Sequence, residues 1–96
     1  MASLEISFLS GKTQKIELSK QQPVSIGSHA SNDLRIDADD VAAMQCRISW
    51  NRKNYEVLAA TSDGIEINGT ISGRSHLKDG DLIRIGDADI LFSDKA

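Results

Sequence analysis

The chain has 96 residues, 40% of them hydrophobic and 26% charged, with a formal net charge of −3. That length makes one domain with a single modest core, and the composition excludes wholesale disorder. The negative balance argues against nucleic acid as a partner, because phosphate binding draws on clustered Lys and Arg; the nearest such pair, Arg52-Lys53, lies in a polar turn.

Nearly every periodic segment alternates with period two, the signature of half-buried strands. LEISFL at 4–9 places Leu4, Ile6 and Phe8 on one face, and TQKIEL at 13–18 follows after Ser10-Gly11-Lys12, so the two predict a hairpin. PVSI at 23–26 reads as a short strand opened by Pro23, where a missing donor is tolerated. DLRID at 33–37 alternates again. CRISW at 46–50 puts Cys46, Ile48 and Trp50 on one side and Arg47 and Ser49 on the other. YEVLAA at 55–60, GIEI at 64–67, DLIRIG at 81–86 and DILF at 89–92 complete the series. Turn clusters separate them: Asn51 to Asn54, Thr61-Ser62-Asp63-Gly64, Asn68-Gly69, Lys78-Asp79-Gly80 and Gly86-Asp87. The one stretch with helical character, DADDVAAMQ at 37–45, is too short to stand alone and is expected to be a loop or a single turn. Closely spaced short strands with turns between them predict an all-β protein, an antiparallel sandwich or small barrel, occupying residues 1–96 as one domain.

Catalysis has little to draw on. His29 and His76 lie far apart, each in a loop, and no serine sits in a nucleophile-elbow pattern. Asp37, Asp39 and Asp40 lack the Gly and distal Glu of a calcium loop, so no metal site and no cofactor are expected. The lone Cys46 has no disulfide or zinc companion and falls on an apolar strand face, where a buried thiol is expected. The N-terminus MASLEISFLS lacks a basic head and a continuous apolar run. No segment approaches the ~20 apolar residues that span a bilayer. These features predict a non-catalytic protein in the reducing cytoplasm, without direct membrane insertion. They carry no signal for its oligomeric state.

The order of the turn signals is more informative than any one of them. Gly27 closes a short strand; Asn32-Asp33-Leu34-Arg35-Ile36 follows; a loop and strand run from Val41 to Ile48; then come Ser62-Asp63-Gly64, Ile67-Asn68-Gly69 and LKDGDLIRIG at 77–86. In this order the chain resembles the forkhead-associated (FHA) domain family, over about residues 20–92. That family's pattern runs Gly-Arg, Asn-Asp-Ile, Ser-Arg-x-His, Ser-x-Asn-Gly-Thr-x-x-Asn-Gly and Leu-x-x-Gly-Asp-x-Ile-x-x-Gly. The resemblance implies a two-sheet antiparallel β-sandwich of the FHA type. It also implies recognition of threonine-phosphate peptides by loops at one end, through charge-assisted hydrogen bonds to the phosphate and an Asn on the peptide backbone.

Carried over residue by residue, the resemblance puts the family's first Arg on Ser28. Its phosphate-binding Ser falls on Ala42, the neighbouring Arg on Ala43 and the structural His on Gln45. The peptide-gripping Asn falls on Asp63 and the following Thr on Ile65. Each position implied to touch the peptide or its phosphate is altered. Scaffold positions are kept: Gly27, Asn32, Asp33, Ser62, Gly64, Asn68, Gly69, Gly80, Asp81 and Gly86. An alternative register, with Asn68-Gly69-Thr70 as the family's first Asn-Gly-Thr, leaves only seven residues between Gly69 and Leu77, too few for the second Asn-Gly and the strand between. The chain is therefore expected to be a protein-interaction module independent of phosphorylation. The resemblance suggests two settings, secretion-apparatus rings and accessory domains of signalling chains. The candidate partner surface is Ser28, His29, Ser31, Asn32, Ala42, Ala43, Met44, Gln45, Asp63, Gly64 and Ile65, where Met44 and Ile65 either make the end apolar or pack inward against the sandwich. The alternative is a divergent phosphopeptide reader that uses the polar loop Ser28, His29, Ser31 and Asn32, with Arg47 or Arg74 as candidate cations.

Overall fold

The structure is a computed structural model that describes residues 2–95. Eleven strands form among the described residues: β1 (Ala2–Phe8), β2 (Thr13–Glu17), β3 (Val24–Gly27), β4 (Leu34–Arg35), β5 (Cys46–Trp50), β6 (Tyr55–Ala59), β7 (Ile65–Ile67), β8 (Thr70–Ser72), β9 (Arg74–His76), β10 (Leu82–Ile85) and β11 (Ala88–Asp94). They make two sheets, ordered β2-β1-β11-β10-β7-β8 and β4-β3-β5-β6-β9. The molecule is an all-β sandwich. No helix long and apolar enough to cross a membrane occurs among the described residues.

Alternation explains the layering. Leu4, Ile6, Ile83, Ile90 and Phe92 point inward from the first sheet and meet Ile26, Leu34, Ile48 and Val57 from the second, all of them fully buried. Each such side chain stabilises the fold by about 1.5–3 kcal/mol through apolar burial. Trp50, Tyr55 and Phe92 stack edge-on at one end of this core, with ring centroids 5.0 and 5.8 Å apart. Cys46 is completely buried, and desolvation pushes its thiol pKa up to about 12, so it behaves as an apolar side chain.

The pairing departs from the sequence expectation in three places. β4 runs parallel to β3, with Ile26 opposite Leu34 and Gly27 opposite Arg35, inside an otherwise antiparallel architecture. β8 and β9 form where period-two reading finds no strand, because Thr70-Ile71-Ser72 and Arg74-Ser75-His76 are short, mostly polar edge segments. The pairing of β8 comes from the turn before it, where Asn68 and Gly69 both adopt positive φ (52° and 83°), the two-residue hairpin geometry that pairs Ile67 with Thr70, while β9 joins the other sheet beside β6. Lastly, Glu56 lies on the outer face of its sheet yet is buried. The segment 37–45 is a chain of turns with no helix, anchored by buried Val41.

Strand directions gather one set of loops at one end: β1–β2, β3–β4, β4–β5, β6–β7, β8–β9 and β10–β11. Backbone bonds zip neighbouring members together, Leu9 N–H to Asp87 O (3.1 Å) and Ala60 N–H to Gln45 O (2.9 Å) among them. The Asn68-Gly69 hairpin and the Gly80-Asp81 turn lie at the opposite end. There Asn68 donates to Asp81 Oδ1 (2.9 Å) and accepts the Leu82 N–H (2.9 Å).

Candidate functional site

The β3–β4 and β4–β5 loops lie against each other, the first donating to carbonyls of the second. Ser28 N–H donates to Ala42 O at 2.9 Å, and His29 N–H to Ala43 O at 3.3 Å. The Asn32 amide bridges them, donating to His29 O (2.9 Å) and Ala43 O (2.6 Å). Gly27 makes the approach possible. A Cβ there would run into the Ala43 carbonyl oxygen and stand 2.8 Å from Asn32 Nδ2, so only glycine fits.

Gln45 turns its side chain back into its own loop, where Oε1 accepts the Ala42 N–H at 2.8 Å. Ser31 turns toward His29: its N–H donates to Nδ1 at 3.1 Å, and its Oγ lies 2.8 Å from the same atom. That contact makes Nδ1 the acceptor and puts the neutral ring's proton on Nε2. The backbone donors of Ser28, His29, Ser31, Asn32 and Ala42 are thus all engaged within the protein. An anion at this end would have to displace these internal bonds to use those five N–H groups.

The β6–β7 loop completes the end. Asp63 is exposed, Gly64 half-buried with φ +76°, and Ile65 only 2% exposed. Ile65 points into the core opposite Ser72 on β8 and presents no side chain to a partner. Asn32 is likewise interior, 9% exposed, holding loops together. Exposed at this end are His29, Ser31, Ala43 and Met44, with Ser28, Ala42 and Gln45 half-buried. Asn68 sits at the far end, while Asp63-Gly64-Ile65 borders these loops.

Three arginines bear on the alternative reading, and Arg47 stands on the outward face expected of it. Arg74 opens β9 beside the loop end, opposite Leu58, but its side chain is committed elsewhere: it forks onto Glu56, Nε to Oε2 at 3.1 Å and Nη2 to Oε1 at 3.2 Å. Asn51 donates to the same carboxylate at 3.2 Å and His76 Nε2 lies 3.9 Å away. Burial pushes the Glu56 pKa up, but the hydrogen bonds from Asn51 and Arg74, with the charges of Arg74 and His76, outweigh it and hold the group below the ordinary glutamate value. Arg47 stands exposed on the outer face of β5. Arg35, which sequence reasoning left as an outward strand residue, is the cation that reaches the loops. Its Nε donates to Ser28 O at 2.9 Å, and Nη2 is 3.6 Å from Asp37. The parallel pairing of Gly27 with Arg35 brings it there, and nothing local in the sequence signals it. No group of three or more His, Cys, Asp or Glu side chains is gathered for a metal ion among the described residues.

A family model described as the FHA domain matches residues 24–86. No curated protein sequence matches the chain. Among solved structures, the FHA domain of the CT664 protein from Chlamydia trachomatis is similar with a TM-score of 0.86 at 16% identity, covering 99% of this chain and 98% of that one. The FhaA FHA domain, complexed with the intracellular domain of Rv3910, is similar at 0.80 and 22% identity, covering 96% and 99%. An FHA structure solved in a study of phosphothreonine-dependent FHA domain interactions is similar at 0.80 and 21% identity, covering 99% and 97%.

Proposed function

The chain belongs to the FHA domain family, and from that premise we propose that it is a non-catalytic protein-interaction domain that engages its partner without a phosphothreonine. FHA domains are interaction modules that bind phosphopeptides. The observation that carries the present reading is the internal hydrogen bonding of the loop end. Ser28, His29, Ser31, Asn32 and Ala42 give their N–H groups to neighbouring loop atoms, and Gln45 and Asn32 point their amides inward. Ala42 has no hydroxyl to offer, and exposed Asp39, Asp40 and Asp63 set like charge near an incoming phosphate. Losing one charge-assisted bond at position 28 costs about 1.5–3 kcal/mol, more than tenfold in affinity.

Arg35 supports a second reading, a divergent phosphopeptide reader. Its guanidinium lies beside Ser28 and stands where a phosphate could draw it away from Asp37. Against this, it already holds the Ser28 carbonyl and lies near the Asp37 carboxylate.

The test is a titration of labelled amides with a degenerate phosphothreonine peptide pool beside the same pool unphosphorylated. The expected result is no phosphate-dependent shift at 28–32 or 42–45. Saturable phosphate-dependent shifts there, abolished by Arg35→Ala, would overturn the proposal in favour of the second reading.

A further inference from the structure

Among the described residues, Arg35, Arg74 and Arg84 each meet a carboxylate, at 3.6, 3.1 and 2.9 Å. Arg47 meets none. It stands mid-strand on the outer face of β5, opposite Leu58 on β6, and with Met44, Leu58, Ala59 and Ala60 it lines a shallow hollow of about 180 Å³. The lining is apolar except for the guanidinium. Met44 is 40% exposed, one of the few large apolar side chains left at the surface. The hollow is below the ~300–1,000 Å³ of a small-molecule cleft and suits one or two side chains of a protein partner. Arg and Met are residue types enriched at such interfaces, and Met adapts its shape to what it meets.

Resting on the phosphate-independent reading above, we infer that Met44, Arg47, Leu58 and Ala60 receive a partner segment that presents an aliphatic side chain next to a single carboxylate. The aliphatic group fills the hollow and the carboxylate takes the unpaired guanidinium at its rim, where partial desolvation strengthens the bond. Asp63, three residues beyond Ala60 and exposed, disfavours a long acidic run. The segment therefore carries one acid beside one aliphatic residue, not a polyacidic tail.

The experiment selects unphosphorylated random peptides displayed on phage against the chain and against Arg47→Glu and Arg47→Gln. The wild type is expected to enrich peptides with Leu, Ile or Met within two residues of Asp or Glu. Those peptides should shift the amides of Met44, Arg47, Leu58 and Ala60. Arg47→Glu should reverse the charge preference by about tenfold, the scale of one charge-assisted bond, and Arg47→Gln should erase it. All these residues are exposed or half-buried, and the variants' amide spectra report that the fold is kept. A charge preference unchanged in Arg47→Glu, or no enrichment at all, would overturn the inference. Shifts confined to 28–32 and 61–65 would overturn it too while leaving the phosphate-independent reading standing. Binding seen only with phosphothreonine peptides would instead overturn the reading on which the inference rests.

Discussion

The two ends of the sandwich make their turns by the same chemistry, with opposite consequences. At the far end Asn68 and Asp81 bond each other, and between them they hold the Leu82 and Lys78 amides, at an exposed rim. At the loop end Asn32, Gln45 and His29 do equivalent work, but among the loops that the resemblance implies as the binding surface. A count of polar residues would rank the loop end as the more capable binder. What matters is which donors are left free, and at the loop end internal bonds already take the N–H groups of Ser28, His29, Ser31, Asn32 and Ala42. The comparison teaches that a polar loop can be a structural device, and that an apolar hollow with one unpaired cation can be the better candidate for recognition.

The sharpest way to break the comparison is Gly27→Ala. Its Cβ would drive into the Ala43 carbonyl and Asn32 Nδ2, forcing the two loops apart, and should destabilise the protein by about 3 kcal/mol in chemical denaturation. A cost near zero would mean that the loops give way easily and that their mutual bonds are not what fills the site. Asn32→Ala should follow at about 2 kcal/mol, since it strips the amide from two carbonyls in a buried setting. It should also disorder the loop amides at 28–32 and 42–45 in the same spectra. Asn68→Ala, the counterpart at the far end, should cost about 1 kcal/mol, because its bonds are exposed and what it chiefly loses is an Asn at positive φ. Equal costs for the two asparagines would remove the distinction between the ends.

The smallest expected effect lies at neither end. Glu56 is held ionised on the sheet face by Asn51, Arg74 and His76. Its folded pKa sits below its unfolded value, so the stability it contributes is present above the unfolded value and is lost as pH falls through the folded one. Glu56→Gln should therefore lower Tm near neutral pH, and the gap to wild type should close in acid. The loop amides at both ends should not move. A gap that persists in strong acid would show that packing, not charge, is what the glutamine disturbs.

Much of the fold was legible. CRISW coincides with β5, DILF lies within β11 and LEISFL overlaps β1 as far as Phe8, because burial on one face forces alternation that can be read along a few residues. Thr70–Ser72 and Arg74–His76 were not legible as strands, since edge segments with little buried face carry no alternation. The direction of β4 was not legible either: DLRID alternates in the same way whichever way its partner runs. Of the candidate surface, the loops did come together, while Asn32 and Ile65 went inside. For Ile65 the sequence left both outcomes open, because a residue at the start of a strand can face either way until its cross-strand partner is known.

The sequence by itself determined the strands that have a buried face, the turns that need Gly or Asn, and the motif order that marks the family. All of these are local: side-chain alternation, allowed φ and spacing along the chain are written in adjacent residues. Tertiary structure alone decided which polar groups are free. Asn32 finds the Ala43 carbonyl, Arg74 finds Glu56 and Arg35 finds the Ser28 carbonyl across gaps of 11, 18 and 7 residues. A hydrogen bond is made or lost by distance in space, and spacing along the chain does not fix that distance.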